Sequence, residues 1–198
     1  MTYRRKDAFY RRAKAAGYRA RSAYKLIELD RRFGILRRGD FVVDLGAWPG
    51  GWLQVASERV GGEGRVVGVD VTPIDPFGAA GITLLAGDVR EPGTIEAVHN
   101  ALGRPADLVL SDLAPNLTGI QATDEARREE LVGVVLSSLD RLLSPGGRLL
   151  MKLFMDSSYK AQVSRLRERF LTFTSTRPES TRRESAEMYI VGEGFRST

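Results

Sequence analysis

Cysteine is absent from the 198-residue sequence, and histidine occurs once, as His99. Without cysteine there is no disulfide and no thiolate metal site, and a lone histidine is too little for a histidine-based metal cluster or triad. No metal is expected. Long apolar runs are also missing: the stretch around Leu108 to Leu110 is far shorter than the roughly 20 residues that span a bilayer. The first residues carry charge without the apolar core of a secretory signal, so none is expected. These absences favour a cytoplasmic protein with no membrane partner. Internal repeats and long low-complexity linkers are lacking too. Residues 1–198 are therefore expected to form one domain, large enough to bury a core. A monomer is expected.

Positive charge is what the chain has in excess. The net charge is +5, and much of it sits in the first forty residues, from Arg4, Arg5 and Lys6 through Arg11, Arg12, Arg19, Arg21 and Lys25 to Arg38. Tyr3, Phe9, Tyr10, Tyr18 and Tyr24 are interleaved with them. A basic arm over about 1–38 in which cations neutralise phosphates and aromatics stack on bases suits RNA. The alternative is a solvated helix face whose aromatics pack inward. Arg177, Arg182 and Arg183 form a second basic cluster, and the two would share a surface if the fold brings the ends together.

Between these ends, short apolar runs alternate with helical patterns. FVVDLG (41–46), GRVVGVDV (64–71), ITLLAGDV (82–89), DLVLSDLA (107–114) and GRLLMKLF (147–154) read as strands. Helices are expected after Ser22 as cap, after the Gly-rich turn at 46–51, around Thr94 to Leu102, Asp124 to Leu143, and Tyr159 to Phe170, with SPGG at 144–147 as a stop. Two strand-like pieces, Leu171 to Thr176 and Met188 to Val191, close the chain and are expected to pair antiparallel at the sheet edge. The alternation implies an α/β, doubly wound, mainly parallel sheet with an antiparallel strand at one edge. In such sheets ligands bind beyond the carboxyl ends of the strands, where Asp44, Asp70, Asp88, Asp112 and Lys152 all fall.

The turn Gly46-Ala47-Trp48-Pro49-Gly50-Gly51-Trp52 lets a ligand approach the backbone, but lacks the G-x-G-x-x-G spacing of a dinucleotide site. Asp70 is placed to bind two ribose hydroxyls, a role shared by NAD and S-adenosylmethionine sites. Asp88 is placed either to accept from an adenine amino group or to serve as a turn aspartate.

DLGAWPGGW, followed by VD, GD and SDLAPN, resembles the FtsJ/RrmJ family of RNA ribose 2′-O-methyltransferases. The likeness runs from RARSAYKL through PGGW, SDLAPN, PGG and MKLF to SAEMYIV. It implies a seven-stranded, Rossmann-like fold for S-adenosylmethionine-dependent methyl transfer, with S-adenosyl-L-methionine as cofactor. It further implies cofactor contacts from Gly46, Gly50, Trp52, Asp70, Asp88 and Asp112, and a catalytic set of Lys25, Asp112, Lys152 and Glu187. The implied partner is ribosomal RNA, within the large ribosomal subunit, at a uridine of the 23S A loop; transfer RNA is the alternative substrate. Trp48 is a departure, standing where the family commonly has a small residue.

Lys152 is informative by itself, because it interrupts an apolar strand where an unpaired ammonium is expensive to bury. Desolvation and a neighbouring Lys25 favour a neutral amine, whereas Asp112 and Glu187 oppose it. Lys152 is assigned as general base, oriented by Asp112 and Glu187, with Lys25 holding the substrate hydroxyl. Taken singly, Lys25 reads as a solvated helix lysine; the alternatives for the others are a sheet-edge lysine for Lys152, a surface partner of Arg182 or Arg183 for Glu187, and a turn cap for Asp112. Two other functions compete: an RNA-binding module without catalysis, which the complete set of four argues against, and a nicotinamide oxidoreductase, which the loop spacing argues against.

Overall fold

The structure is a computed structural model and describes residues 8–78, 81–182 and 184–197; Tyr3, Arg4, Arg5, Lys6 and Arg183 lie outside them. Phe41–Leu45 (β1), Arg65–Asp70 (β2), Ile82–Ala86 (β3), Ala106–Ser111 (β4) and Leu143–Phe154 (β5) are the five strands that the apolar runs predict. They pair in parallel. Phe170–Thr176 (β6) and Glu187–Phe195 (β7) complete a seven-stranded sheet of order β3-β2-β1-β4-β5-β7-β6.

β7 runs antiparallel to both β5 and β6. The antiparallel strand therefore sits one place in from the edge, with β6 outside it. It is also longer than the apolar residues Met188 to Val191 suggest, since Glu187 already pairs with Phe154 and Phe195 still pairs with Phe170. The expected stop at 144–147 is absorbed as an irregularity within β5: Leu143 pairs with Ala106, and the ladder resumes at Arg148 opposite Leu108.

Ala8–Ala15 (α1) and Ala23–Phe33 (α2) precede the sheet, and Gly51–Val60 (α3), Pro92–Leu102 (α4), Gln121–Leu142 (α5) and Tyr159–Glu168 (α6) connect its strands. Successive strand residues face opposite sides. Val42, Leu110 and Leu150 thus pack with Leu26 and Leu29 of α2 and Leu53 and Val55 of α3. Val43, Val109 and Leu149 pack with Val98 of α4, Leu139 of α5 and Leu166 of α6.

Two expected helix starts differ. Ser22 has helical backbone angles and makes no side-chain cap bond. Its carbonyl instead accepts the Trp52 indole N–H at 2.9 Å. α5 begins before Asp124, whose carboxylate accepts from the Thr118 amide (2.7 Å), the Thr118 hydroxyl (2.8 Å) and the Gly119 amide (3.1 Å). Asp124 thereby fixes the loop that follows β4. No helix among the described residues is long and apolar enough to cross a membrane.

Candidate active site

Beyond the carboxyl ends of β1, β2 and β4 lies a cavity of about 640 Å³, a size suited to a small ligand. Gly46, Asp70, Asp88 and Asp112 line it, as do Trp48, Arg90 and Asn116. The Gly46 and Ala47 amides donate to the Val69 carbonyl at 2.9 and 3.1 Å, folding the loop back over the end of β2. Gly46 has φ +82°, and a Cβ there would stand 2.9 Å from the Leu113 side chain; only glycine fits that crossing. Gly50 and Trp52 do not line the cavity. Gly50 faces Arg19 and Phe77, and Trp52 is buried beside Tyr189 at 6.1 Å between ring centres. The indole on the cavity wall is that of Trp48, which is 56% exposed.

Asp70 accepts from the Trp48 amide at 3.0 Å through Oδ2 and from the Thr72 amide at 2.8 Å through Oδ1. Each oxygen keeps a further lone pair for a ligand hydroxyl. Asp88 is gripped by Arg90, whose backbone N–H and Nε–H donate to Oδ1 (2.9 and 3.0 Å) and whose Nη2–H donates to Oδ2 (2.5 Å). These side-chain and backbone hydrogen bonds from Arg90 hold the Asp88 carboxyl below its ordinary range. An adenine amino group there would share Asp88 with a guanidinium.

The four expected catalytic residues come together, and Tyr189 joins them. β5 lies between β4 and β7, so Lys152 is an interior strand residue, not an edge one. The antiparallel register sets Tyr189 directly opposite it. Lys152 Nζ donates to the Asp112 carbonyl at 2.7 Å and stands 3.0 Å from Asp112 Oδ1. The Tyr189 hydroxyl donates to Asp112 Oδ1 at 3.2 Å and accepts from Lys25 Nζ at 3.2 Å. Lys25 also forms a close ion pair with Glu187.

Burial acts first on Glu187 and would raise its pKa, but the adjacent Lys25 ammonium and its hydrogen bond outweigh that, with help from Lys152 and Arg21, and keep the carboxyl below its ordinary value. Tyr189 is pushed well above the ordinary phenol range by burial, then by the Asp112 and Glu187 charges, so it stays a neutral hydroxyl linking Lys25 to Asp112. A tyrosine in the apolar run MYIV carries no periodic sign of this role. Only strand pairing reveals it.

Asp44, at the end of β1, is fully buried, and neither carboxylate oxygen has a hydrogen-bond partner among the described residues. Burial first, and then the Asp112 and Asp70 charges, raise its pKa well above normal. The unfolded chain releases this proton near the ordinary aspartate value of about 3.9. Stability from Asp44 is therefore complete below that pH and declines as pH rises through the window up to the raised folded value. Asp44→Asn removes the decline. The melting temperature of the variant, taken relative to the wild type's, should be higher at pH 8 than at pH 5. Equal differences at both pH values would refute the assignment.

Residues 18–195 match the family described as FtsJ-like methyltransferase. The chain belongs to that family. Among FtsJ-like relatives, a protein of Methanobrevibacter smithii named Ribosomal RNA large subunit methyltransferase E is 42% identical over 96% of this chain and 90% of its own length. One of the same name from Methanothrix thermoacetophila is 46% identical over 98% of this chain and 74% of its own. A crystal structure of a ribosomal RNA methyltransferase from Plasmodium falciparum superposes with a TM-score of 0.79 at 27% identity, covering 91% of this chain and all of the other. Aeropyrum pernix fibrillarin, determined with natively bound S-adenosyl-L-methionine, shares the fold (TM-score 0.63, 18% identity, 86% of this chain and 76% of the other).

The cavity of this FtsJ-like chain fits S-adenosylmethionine. Asp70 offers acceptors for a ribose, and the Gly46 crossing leaves no side chain in the way of a nucleoside. Asp112 faces the cavity, and the orphaned Asp44 carboxyl lies buried within the influence of both acids. The Asp70 and Asp112 carboxylates on the cavity wall suit a ligand carrying sulfonium and ammonium charge.

Proposed function

We propose that this FtsJ-like methyltransferase methylates a ribose 2′-hydroxyl of large-subunit ribosomal RNA, at a uridine of the 23S A loop, with S-adenosylmethionine as donor. It acts as a cytoplasmic monomer on RNA in the large subunit. When bound, the cofactor supplies a methyl group on a sulfonium. Asp70 and Asp88 hold its nucleoside and Asp112 its charged end, with Gly46 allowing close backbone approach.

The observation that carries the reading is how Lys152 is held. A neutral lysine amine has two N–H donors and one lone pair. Nζ donates to the Asp112 carbonyl and stands 3.0 Å from the Asp112 carboxylate, so Asp112 fixes where the amine sits. In the unprotonated amine the lone pair takes the 2′-hydroxyl proton, which passes to Nζ. Such base catalysis contributes about 10²–10⁴-fold. Glu187 compensates the charge of Lys25, whose Nζ can still donate to the substrate oxygen. The relatives' shared name supports ribosomal RNA as the substrate class.

The test is transfer of labelled methyl from S-adenosylmethionine to large ribosomal subunits, deproteinised ribosomal RNA and transfer RNA, with mapping of the product. A 2′-O-methyluridine in the 23S A loop is expected. Label in transfer RNA alone would overturn the substrate, and label on a base would overturn the chemistry. Absence of label despite cofactor binding would favour a non-catalytic RNA-binding module.

A further inference from the structure

A second cavity, of about 430 Å³, opens at the Lys25–Glu187 end of the catalytic cluster. It shares no lining residue with the cofactor cavity. Arg21 and Lys25 line it from the start of the chain, and Arg182, Glu184, Ser185 and Glu187 from the segment that enters β7. The two basic clusters at opposite ends of the sequence thus meet on one wall.

The wall is fastened from both sides. Arg21 Nη2 donates to the Ser180 carbonyl at 2.9 Å. Glu28 of α2 accepts from the Glu179 amide (2.8 Å), the Ser180 amide (3.2 Å) and the Ser180 hydroxyl (3.0 Å). Arg177 Nη2 holds the Arg182 carbonyl at 2.9 Å. Arg21, Lys25 and Arg182 thus place three cationic side chains on the lining beside the carboxylates of Glu184 and Glu187.

On a ribose, the 2′-hydroxyl and the 3′-phosphate sit on adjacent carbons. A base that reaches the hydroxyl must have a phosphate close by, and that phosphate needs a cation or water. We propose that this cavity receives the RNA at the nucleotide being methylated, with the Arg21 and Arg182 guanidiniums taking the phosphodiester beside the target ribose. Guanidinium forks match phosphate oxygens in geometry as well as charge. RNA then enters from the Lys25 side and cofactor from the Asp70 side, and the Lys25–Tyr189–Asp112–Lys152 chain joins the two cavities. This assignment rests on the ribose-methylation reading.

The test separates the two. RNA affinity is measured in a Lys152→Ala background with deproteinised large-subunit ribosomal RNA across a salt series, so that binding is read without turnover. Arg21→Gln with Arg182→Gln should weaken binding about tenfold and lower the slope of log affinity against log salt by about one, the signature of one lost phosphate contact. Arg21→Lys with Arg182→Lys should recover the slope and much of the affinity. In the active background the loss should fall on KM for RNA, with KM for S-adenosylmethionine unchanged. Unchanged affinity and slope would overturn the proposal, as would weaker binding at an unchanged slope. If the glutamine pair also disturbed cofactor binding, a reduced slope in the lysine pair would likewise overturn it. Absence of methyl transfer by the wild type would defeat the ribose-methylation reading alone, because the salt slope is measured without it.

Discussion

Lys152→Ala should lower the single-turnover rate of methyl transfer by about 10²–10⁴-fold, with the dissociation constant for S-adenosylmethionine nearly unchanged. Lys152 is not on the wall of the cofactor cavity; its amine contacts Asp112, which is. Loss of the amine deletes the proton acceptor but leaves the Tyr189 hydroxyl donating to Asp112 Oδ1. Alanine alone does not separate a base from a mere positive charge. Lys152→Arg does, because a guanidinium keeps the charge and cannot be deprotonated in a protein. If Lys152 is the base, both variants are inactive. An arginine variant of near wild-type rate would sink the base assignment and make Lys152 a charge partner of Asp112. Single-turnover measurement matters, because product release can hide a chemical defect.

Asp70→Ala should weaken S-adenosylmethionine binding by at least tenfold, with a smaller effect on the transfer rate at saturating cofactor. Hydrogen bonds to a charged group are worth about 1.5–3 kcal/mol each, and Asp70 has acceptor sites left for ribose hydroxyls. It also shapes the loop, since its two oxygens hold the Trp48 and Thr72 amides. Asp70→Asn distinguishes the roles: one oxygen remains as an acceptor, so part of the loop is kept while a ribose acceptor becomes a donor. Calorimetry with S-adenosylmethionine and with a 2′,3′-dideoxyribose analogue of it provides the check. If the wild type bound both equally well, Asp70 would not be the ribose ligand.

Much of the cofactor side was legible in the chain. β1, β2 and β4 are short, doubly buried runs, and each leads to an acid at its carboxyl end, so Asp70 and Asp112 could be placed by counting along the strands. The loop glycines were legible as a group but not individually. Gly46 is on the cavity wall, whereas Gly50 and Trp52 turn toward Arg19 and Tyr189. Which side of a turn a residue faces depends on the chain packed behind it, here residues 19–22, and no local pattern reports that. The aromatics of the basic arm show the same limit. Phe9 and Tyr18 each lie 6.0 Å from the Tyr24 ring, and Arg12 sits over that ring at 5.0 Å. They pack on one another, as the inward-facing alternative has it, and Tyr10 alone of the described arm aromatics is a large exposed side chain.

The sequence by itself determined the strand-helix alternation, the doubly wound class, the family and the four charged residues of the cluster, because these depend on residue type, order and short-range period. Tertiary structure decided that β7 lies between β5 and β6 and that its register sets Tyr189 against Lys152. It also decided that Arg21 and Arg182, at opposite ends of the chain, line one cavity. Strand register and the meeting of distant segments are set by the packing of whole faces against each other, a property of the folded sheet that no window of neighbouring residues contains.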